Sequence, residues 1–347
     1  VKNERHRQIW ADTLAEAARH CAKARVRVAW WELWNEPDGI FGQSANARYL
    51  DLWRYYIAAS RALKGVDPTL QIGGPGLAWP HGSVIFDYFK HCGKDVDFIS
   101  YHQYSTGNYK TTTRQFLDNA APHFGKEAAS ISRSIKRAAA AGFLKTPTTS
   151  LPIFLTEYNM NYGWDPGEKR QQTPAGVVYT AIALFEAGSN GLQRAAIWSA
   201  IGNSQFGLVH GDHTAPSGYL LRKLADWAPG NLVKTTVGVG AADAGKPAAA
   251  AKPAAPLVRA YATADAGTRH LTVVLINTSE TQTAAVDLTL ADGGTSATAA
   301  SAKNFGQAQV FVVNADNPAG AARVLPPPLG KVALPPLTVK VLRFGGR

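Results

Sequence analysis

The chain has 347 residues, 46% of them hydrophobic and 18% charged, with a formal net charge of +11. That length supports one large domain and a smaller one. No apolar run approaches the ~20 residues that span a bilayer, and the dispersed Lys and Arg describe a solvated surface rather than a nucleic-acid-binding one.

The first segment, "ERHRQIWADTLAEAARHCAKA", has a helical pattern with no strand before it. No signal peptide is visible, and the sequence starts at Val1, so it reads as cut at its amino terminus. Localisation is left open, with secretion or a periplasmic location compatible. Cys21 and Cys92 are too few for a disulfide framework and read as reduced thiols beside helices.

From there to about residue 228, apolar runs alternate with helical patterns. The predicted strands are 25–35, 70–75, 95–104, 151–159 and 192–200. The predicted helices are 45–64, 83–92, 111–142 (interrupted near Pro122), 173–188 and 217–227. Strand–helix alternation with near-continuous apolar strands predicts a parallel sheet covered by helices. Each strand ends in polar or aromatic residues, as in a (β/α)8 TIM barrel, where the site gathers at the carboxyl ends. Because a helix comes first, the five strands read as strands four to eight. An open five-stranded sheet is the structural alternative, but its edges would need covering. The remaining strands are expected from a missing amino-terminal segment or a second chain.

After residue 229 the pattern changes to short alternating strands: "LVRAYATA", "HLTVVLINTS", "AAVDLTLA", "AQVFVVNA" and "LTVKVLRF". These predict an antiparallel β-sandwich, giving a barrel part at 1–228 and an accessory sandwich at 229–347. Residues 241–256 and 293–302 are low-complexity loops.

Several look-alikes fail on their chemistry. "GAADAGKP" (240–247) nearly spells a phosphate loop, but Pro247 replaces the hydroxyl residue and no helix follows. "IGGPG" (72–76) lacks the dinucleotide pattern and reads as a tight loop. No H-E-x-x-H or Cys/His cluster predicts a metal, no cofactor motif is present, and no serine or cysteine nucleophile context appears.

Two glutamates remain, each ending an apolar strand. Glu36 lies in "ELWNEPD" and Glu157 in "PIFLTEYN". Proline after Glu36 is expected to hold that glutamate extended. On the fourth and seventh strands of a barrel the two acids would face one another across its mouth. Two carboxyl groups flanking a cleft can cleave a glycosidic bond, one protonating the leaving oxygen and the other attacking the anomeric carbon. Like charges in one site favour that unequal protonation.

"WNEPD" and "TEYN", with "GGPG" and "DFISYHQY" between them and a sandwich afterwards, resemble the retaining glycoside hydrolases of clan A, most of all family 39. That family includes β-xylosidases, α-L-iduronidases and exopolysaccharide-cleaving enzymes. The resemblance covers about residues 25–200. It implies that Glu36 is the acid/base, Glu157 the nucleophile and Asn35 the group holding the neighbouring sugar hydroxyl. It places His102 and Tyr104 along the donor subsite and Trp198 beneath the sugar. Trp31, Trp79, Tyr158 and Trp164 are further candidates for the cleft wall. The implied partner is a carbohydrate, with no metal and no organic cofactor. The implied function is a β-xylosidase-like exo-glycosidase. Its alternatives are another clan A specificity (iduronidase-like, arabinosidase or exopolysaccharide endo-glycosidase) and a catalytically silent carbohydrate-binding protein on a truncated barrel.

Overall fold

The computed structural model describes residues 4–42, 49–108, 110–146, 150–163, 165, 167–203, 205–238, 257–265, 270–288, 308–325 and 331–345. The phosphate-loop look-alike, both low-complexity segments and Trp164 lie outside the described residues. The chain divides into two compact units. One comprises Val1–Tyr104, Phe124–Asn159 and Ala187–Ile197, and the other Ser105–His123, Met160–Glu186 and Trp198–Arg347.

The elements of the first 228 residues are α1 (Glu4–Lys23), β1 (Trp30–Glu32), α2 (Asp38–Phe41), α3 (Tyr49–Val66), β2 (Gln71–Leu77), α4 (Gly82–Cys92), β3 (Phe98–Thr106), α5 (Thr113–Gln115), α6 (Ala121–Ala140), β4 (Ile153–Asn161), α7 (Pro174–Gly188), β5 (Leu192–Ile197), β6 (Val209–His210), β7 (His213–Thr214) and α8 (Pro216–Trp227). Five strands form one sheet in the order β1-β2-β3-β4-β5, and β1–β2, β2–β3 and β4–β5 pair in parallel. The predicted alternation of strand and helix is thus present.

Three local expectations are corrected. The strand predicted at 25–35 is confined to Trp30–Glu32, because Arg25 turns with φ +56° and, among the described residues, β1 has a partner on one side only. "IGGPG" is no loop but the body of β2. The break in the long helix is a π turn at Phe116–Ala120, just before Pro122, whose missing N–H cannot serve the regular ladder.

Packing follows from the sequence periods. Ala11, Ala15 and Ala18 line the buried stripe of α1, and their small side chains let α1 lie close along α3. In α6, Phe124, Ala128, Ile131, Ile135 and Ala138 are buried at helical spacing. On the sheet, Ile99, Tyr101, Ile153 and Leu155 form the alternating buried set of one face. The Cys92 thiol is buried at the end of α4, 3.7 Å from the Trp53 carbonyl, and burial pushes its pKa far up.

The opposite face of the sheet carries the other alternating set, arranged in levels. At the amino ends, Trp30, Phe98 and Phe154 form a ring cluster with centroids 4.7–5.4 Å apart. Arg194 of β5 stacks over Trp30 and Phe154 at 5.1 and 5.3 Å. Gly73 makes room for this plug, since a Cβ there would sit 2.3 Å from the Phe98 carbonyl oxygen. One level up lie Glu32, Ser100 and Thr156, and beyond them His102 and Tyr104.

Carboxyl-terminal to α8 come β8 (Asn231–Val233), β9 (Val258–Asp265), β10 (His270–Asn277), β11 (Ala284–Asp287), β12 (Ala308–Val313), β13 (Ala321–Leu325), β14 (Lys331–Leu334) and β15 (Thr338–Gly345). Six of them form an antiparallel sheet, β13-β12-β15-β10-β9-β8, and β11 pairs with β14. Val332 and Leu334 of that pair share one apolar core with Val273, Leu275, Val310, Leu342 and Phe344. Lys340 ends this core by donating to the Ala333 carbonyl at 2.7 Å, and its burial lowers the ammonium pKa. The strands β8, β13 and β14, only three to five residues each, escape a reading based on longer alternating runs. In the same unit, Glu186 of α7 accepts from Tyr261 at 2.7 Å and Arg259 at 3.1 Å.

Glu168 is a further anchor of this second unit. It receives the Arg170 guanidinium and backbone N–H, with Nε 2.8 Å from Oε1 and the amide 3.0 Å away. Arg170 also donates to the Thr111 carbonyl and covers the Phe116 ring at 4.4 Å. Burial alone would raise the Glu168 pKa, but the bonds and charge of Arg170 outweigh it and hold the carboxyl below the usual range. A depressed carboxyl stabilises fully above its unfolded value of about 4.3 and loses that contribution as pH falls through the lower folded value. Glu168→Gln should therefore destabilise the protein at pH 7, by a margin that shrinks toward pH 3, as measured by urea unfolding across that range.

Candidate active site

The site stands at the carboxyl ends of β1, β3 and β4. It depends on two irregularities in the sheet. On β2, Pro75 pairs with Ser100 but Leu77 with Tyr101, so Gly76 is an extra residue bulged from the ladder. On β4, Leu155 pairs with Ala195 but Tyr158 with Ile197. Three steps on β4 therefore match two on β5, and the bulge falls at Thr156 and Glu157. Thr156 and Glu157, which strict alternation would send to opposite faces, consequently both reach partners on the inner face.

Gly76 supports the first carboxylate. Its carbonyl accepts the Glu36 N–H at 2.9 Å, and its own N–H donates to Ser100 Oγ at 3.2 Å. Its φ is +63°, and a Cβ would lie 2.9 Å from the Trp34 carbonyl and 3.0 Å from Glu32 Oε1. Both backbone and space demand glycine here. Glu36 itself has φ +47°, in the left-handed region rather than the extended one expected before proline. The turn that delivers its N–H to Gly76 overrides the local preference, and such backbone costs about 1–3 kcal/mol unless the surroundings impose it. Asp38, two residues on and 6% exposed, clasps the other side of the turn. It accepts from the Ala78 and Trp79 amides at 3.0 and 2.8 Å.

Four of the predicted site residues come together. His102 Nδ1 lies 3.0 Å from Glu36 Oε1 and 3.8 Å from Glu157 Oε2. Tyr104 donates its hydroxyl to Glu157 Oε1. One ligating atom each from Glu36, His102 and Glu157 lie within 4.8 Å of one another, so this trio is also the place where described residues could hold a metal ion. The environments of the two acids differ. The side chain of Glu36 is 40% exposed and that of Glu157 only 15%, while His102 is 2% exposed.

The remaining candidates are placed as follows. Asn35 is exposed immediately before Glu36. Trp198 follows β5 directly, half-exposed, in the second compact unit, with the Trp198–Ser199 peptide cis. Trp31 is half-buried and Trp79 exposed. Tyr158 is no wall residue. After the β4 bulge its ring returns to the helix side, fully buried and edge-on to Phe124 of α6 at 6.0 Å. Sequence reasoning missed Asp38, Gly76, Glu32 and Thr156, although the glycine in "GGPG" and the acid after "NEP" were visible signals.

Comparison with known proteins gives this site its context. The sequence model for "Glycosyl hydrolases family 39" matches residues 1–198. The chain belongs to glycosyl hydrolase family 39. It is similar to a β-xylosidase of Geobacillus stearothermophilus, at 30% identity over 191 residues, covering 52% of this chain and 36% of that protein. It also resembles the human α-L-iduronidase, at 28% identity over 112 residues, or 27% of this chain and 17% of the relative. The chain thus spans about a third or less of the length of these curated relatives. Among solved structures, the GH51 arabinofuranosidase of Xanthomonas axonopodis pv. citri superposes with a TM-score of 0.71 at 14% identity, over 96% of this chain and 73% of that one. A monomeric β-xylosidase of Caulobacter crescentus CB15 gives 0.63 at 16%, over 97% and 74%. Those likenesses concern the fold. The curled parallel sheet with its helices matches part of a (β/α) barrel.

The double demand at Gly76 gives a direct test. Gly76→Ala should lower stability by about 2 kcal/mol, from left-handed strain and the clash with Trp34, in thermal or urea unfolding.

Proposed function

We propose that this family 39 protein is a retaining glycosidase working by double displacement, with Glu157 as nucleophile and Glu36 as acid/base. The observation that carries the reading is the pair of carboxylates with oxygens within 4.8 Å. Retaining enzymes hold their two carboxyl groups about 5–5.5 Å apart, whereas inverting enzymes need room for a water between them.

Glu157 Oε1 is occupied by the Tyr104 hydroxyl, so Oε2 is the attacking oxygen. Its bond to the anomeric carbon forms as the bond to the leaving oxygen breaks, and Glu36 supplies the proton that oxygen takes. In the second half Glu36 removes a proton from water, whose oxygen displaces Glu157. The more exposed acid is the one that must meet leaving group and water. His102, 3.0 Å from Glu36 Oε1, orients that carboxyl and directs Oε2 to the proton transfer. Asn35 would hold the hydroxyl next to the attacked carbon. Similarity to β-xylosidases favours a β-xyloside substrate and exo action.

Residues 1–228 would form the carboxyl-terminal part of the barrel and 229–347 an accessory β-sandwich. Among the described residues β1 and β5 each have a sheet neighbour on one side only. Arg194, Ala195 and Ala196 of β5 are exposed. Such edges invite pairing, and further strands, from the same polypeptide or a second one, would close the sheet.

The decisive experiment uses aryl β-xylosides. Glu157→Ala and Glu36→Ala should each reduce turnover by about a thousandfold or more. Azide should rescue Glu157→Ala with a glycosyl azide of inverted configuration. Undiminished turnover in both variants would defeat the reading, and sugar binding without any turnover in the parent would favour the silent binding protein instead.

A further inference from the structure

Beneath the two carboxylates lies a third, Glu32, at the end of β1. Its Oε1 accepts the hydroxyl proton of Thr156 at 2.7 Å. Thr156 stands on β4, with β2 and β3 intervening in the sheet, so the bond crosses the inner face. It also precedes Glu157 within the bulge, where register with β5 is lost. The bulge is a place where backbone pairing alone does not fix the next side chain.

The same carboxylate bears on the other side of the site. Glu32 Oε1 would be 3.0 Å from a Cβ at Gly76, the residue whose carbonyl holds the Glu36 N–H at 2.9 Å. One group therefore holds the neighbour of the nucleophile by a hydrogen bond and lies close enough to the support of the acid/base to exclude a side chain there.

We propose that Glu32 and Thr156 are a positioning pair, whose hydrogen bond across the curled sheet sets the separation of Glu36 and Glu157. The proposal rests on the retaining reading above. Neither residue touches the reacting atoms. The pair acts through the bulge at Glu157 and the turn at Gly76, and it would matter most when Glu157 Oε2 must align with the anomeric carbon. Misplacement by about 1 Å can cost roughly a hundredfold in rate.

The test compares Thr156→Val, which keeps shape and removes the donor, with Thr156→Ser, which keeps the donor, in the full-length protein. Rates on aryl β-xylosides are normalised to the folded fraction by near-UV circular dichroism. Thr156→Val should lose about 10- to 100-fold in kcat with KM within about threefold of the parent, while Thr156→Ser recovers most of the loss. A folded Thr156→Val with parental kcat would overturn the pairing, as would Thr156→Ser failing as badly as Thr156→Val. Glu157→Ala is the control. If it is inactive while Thr156→Val is unaffected, the positioning role alone falls, and if it retains parental turnover the two-carboxylate reading falls with it.

Discussion

The site depends on how far the sheet curls. β1 and β4 are three strand spacings apart in the sheet order, about 14 Å if the sheet were flat. Yet Glu32 on β1 and Thr156 on β4 are hydrogen-bonded at 2.7 Å. Without that curvature Glu36 and Glu157 would be unrelated acids on a flat sheet. The sequence features that permit it are specific. Gly73 removes a side chain that would strike Phe98, and the bulges at Gly76 and at Thr156–Glu157 add twist where the strands must turn. The Trp30, Phe98 and Phe154 cluster then fills the amino end of the concave face.

Curvature alone brings the acids together; it does not make them different. The difference comes from depth and from hydrogen bonds. Glu157 emerges from a bulge with the Tyr104 hydroxyl on one oxygen, whereas Glu36 sits on a turn, more exposed, with His102 on one oxygen. Each carboxylate therefore has one oxygen held by the protein. His102 is almost wholly buried and approaches both acids, which couples the geometry of one to that of the other.

The glutamates, His102 and Tyr104 were legible because motif and strand order do not depend on details of register. Alternating apolar strands and helical stripes, such as 124, 128, 131 and 135 in α6, likewise foretold the parallel sheet. What could not be read arises where a long-range contact overrides a local rule. Tyr158, a candidate for the cleft wall beside Glu157, lies on the helix side because the β4 bulge brings Thr156 and Glu157 both inward before it. Glu36 was expected to be extended because proline follows it. Its φ of +47° comes from a bond to a residue 40 positions away. Nothing in the sequence singles out Glu32, and only the folded sheet shows that its partner is on β4. Short strands such as β14, four residues long, carry too little pattern to register.

The levels of the concave face also suggest why a third carboxylate lies inside it. A buried or half-buried acid is costly unless hydrogen-bonded, and an apolar residue at position 32 would leave the Thr156 hydroxyl without this partner. An apolar layer could fill the same volume, but it would set distance only through packing, with freedom to slide. A hydrogen bond between two short side chains fixes both length and direction. Where carboxylate oxygens lie within 4.8 Å of one another at the ends of strands that are not neighbours in the sheet, directionality is what packing cannot supply. The polar level between the aromatic plug and the two upper carboxylates thus has a geometric reason to exist, one independent of its charge.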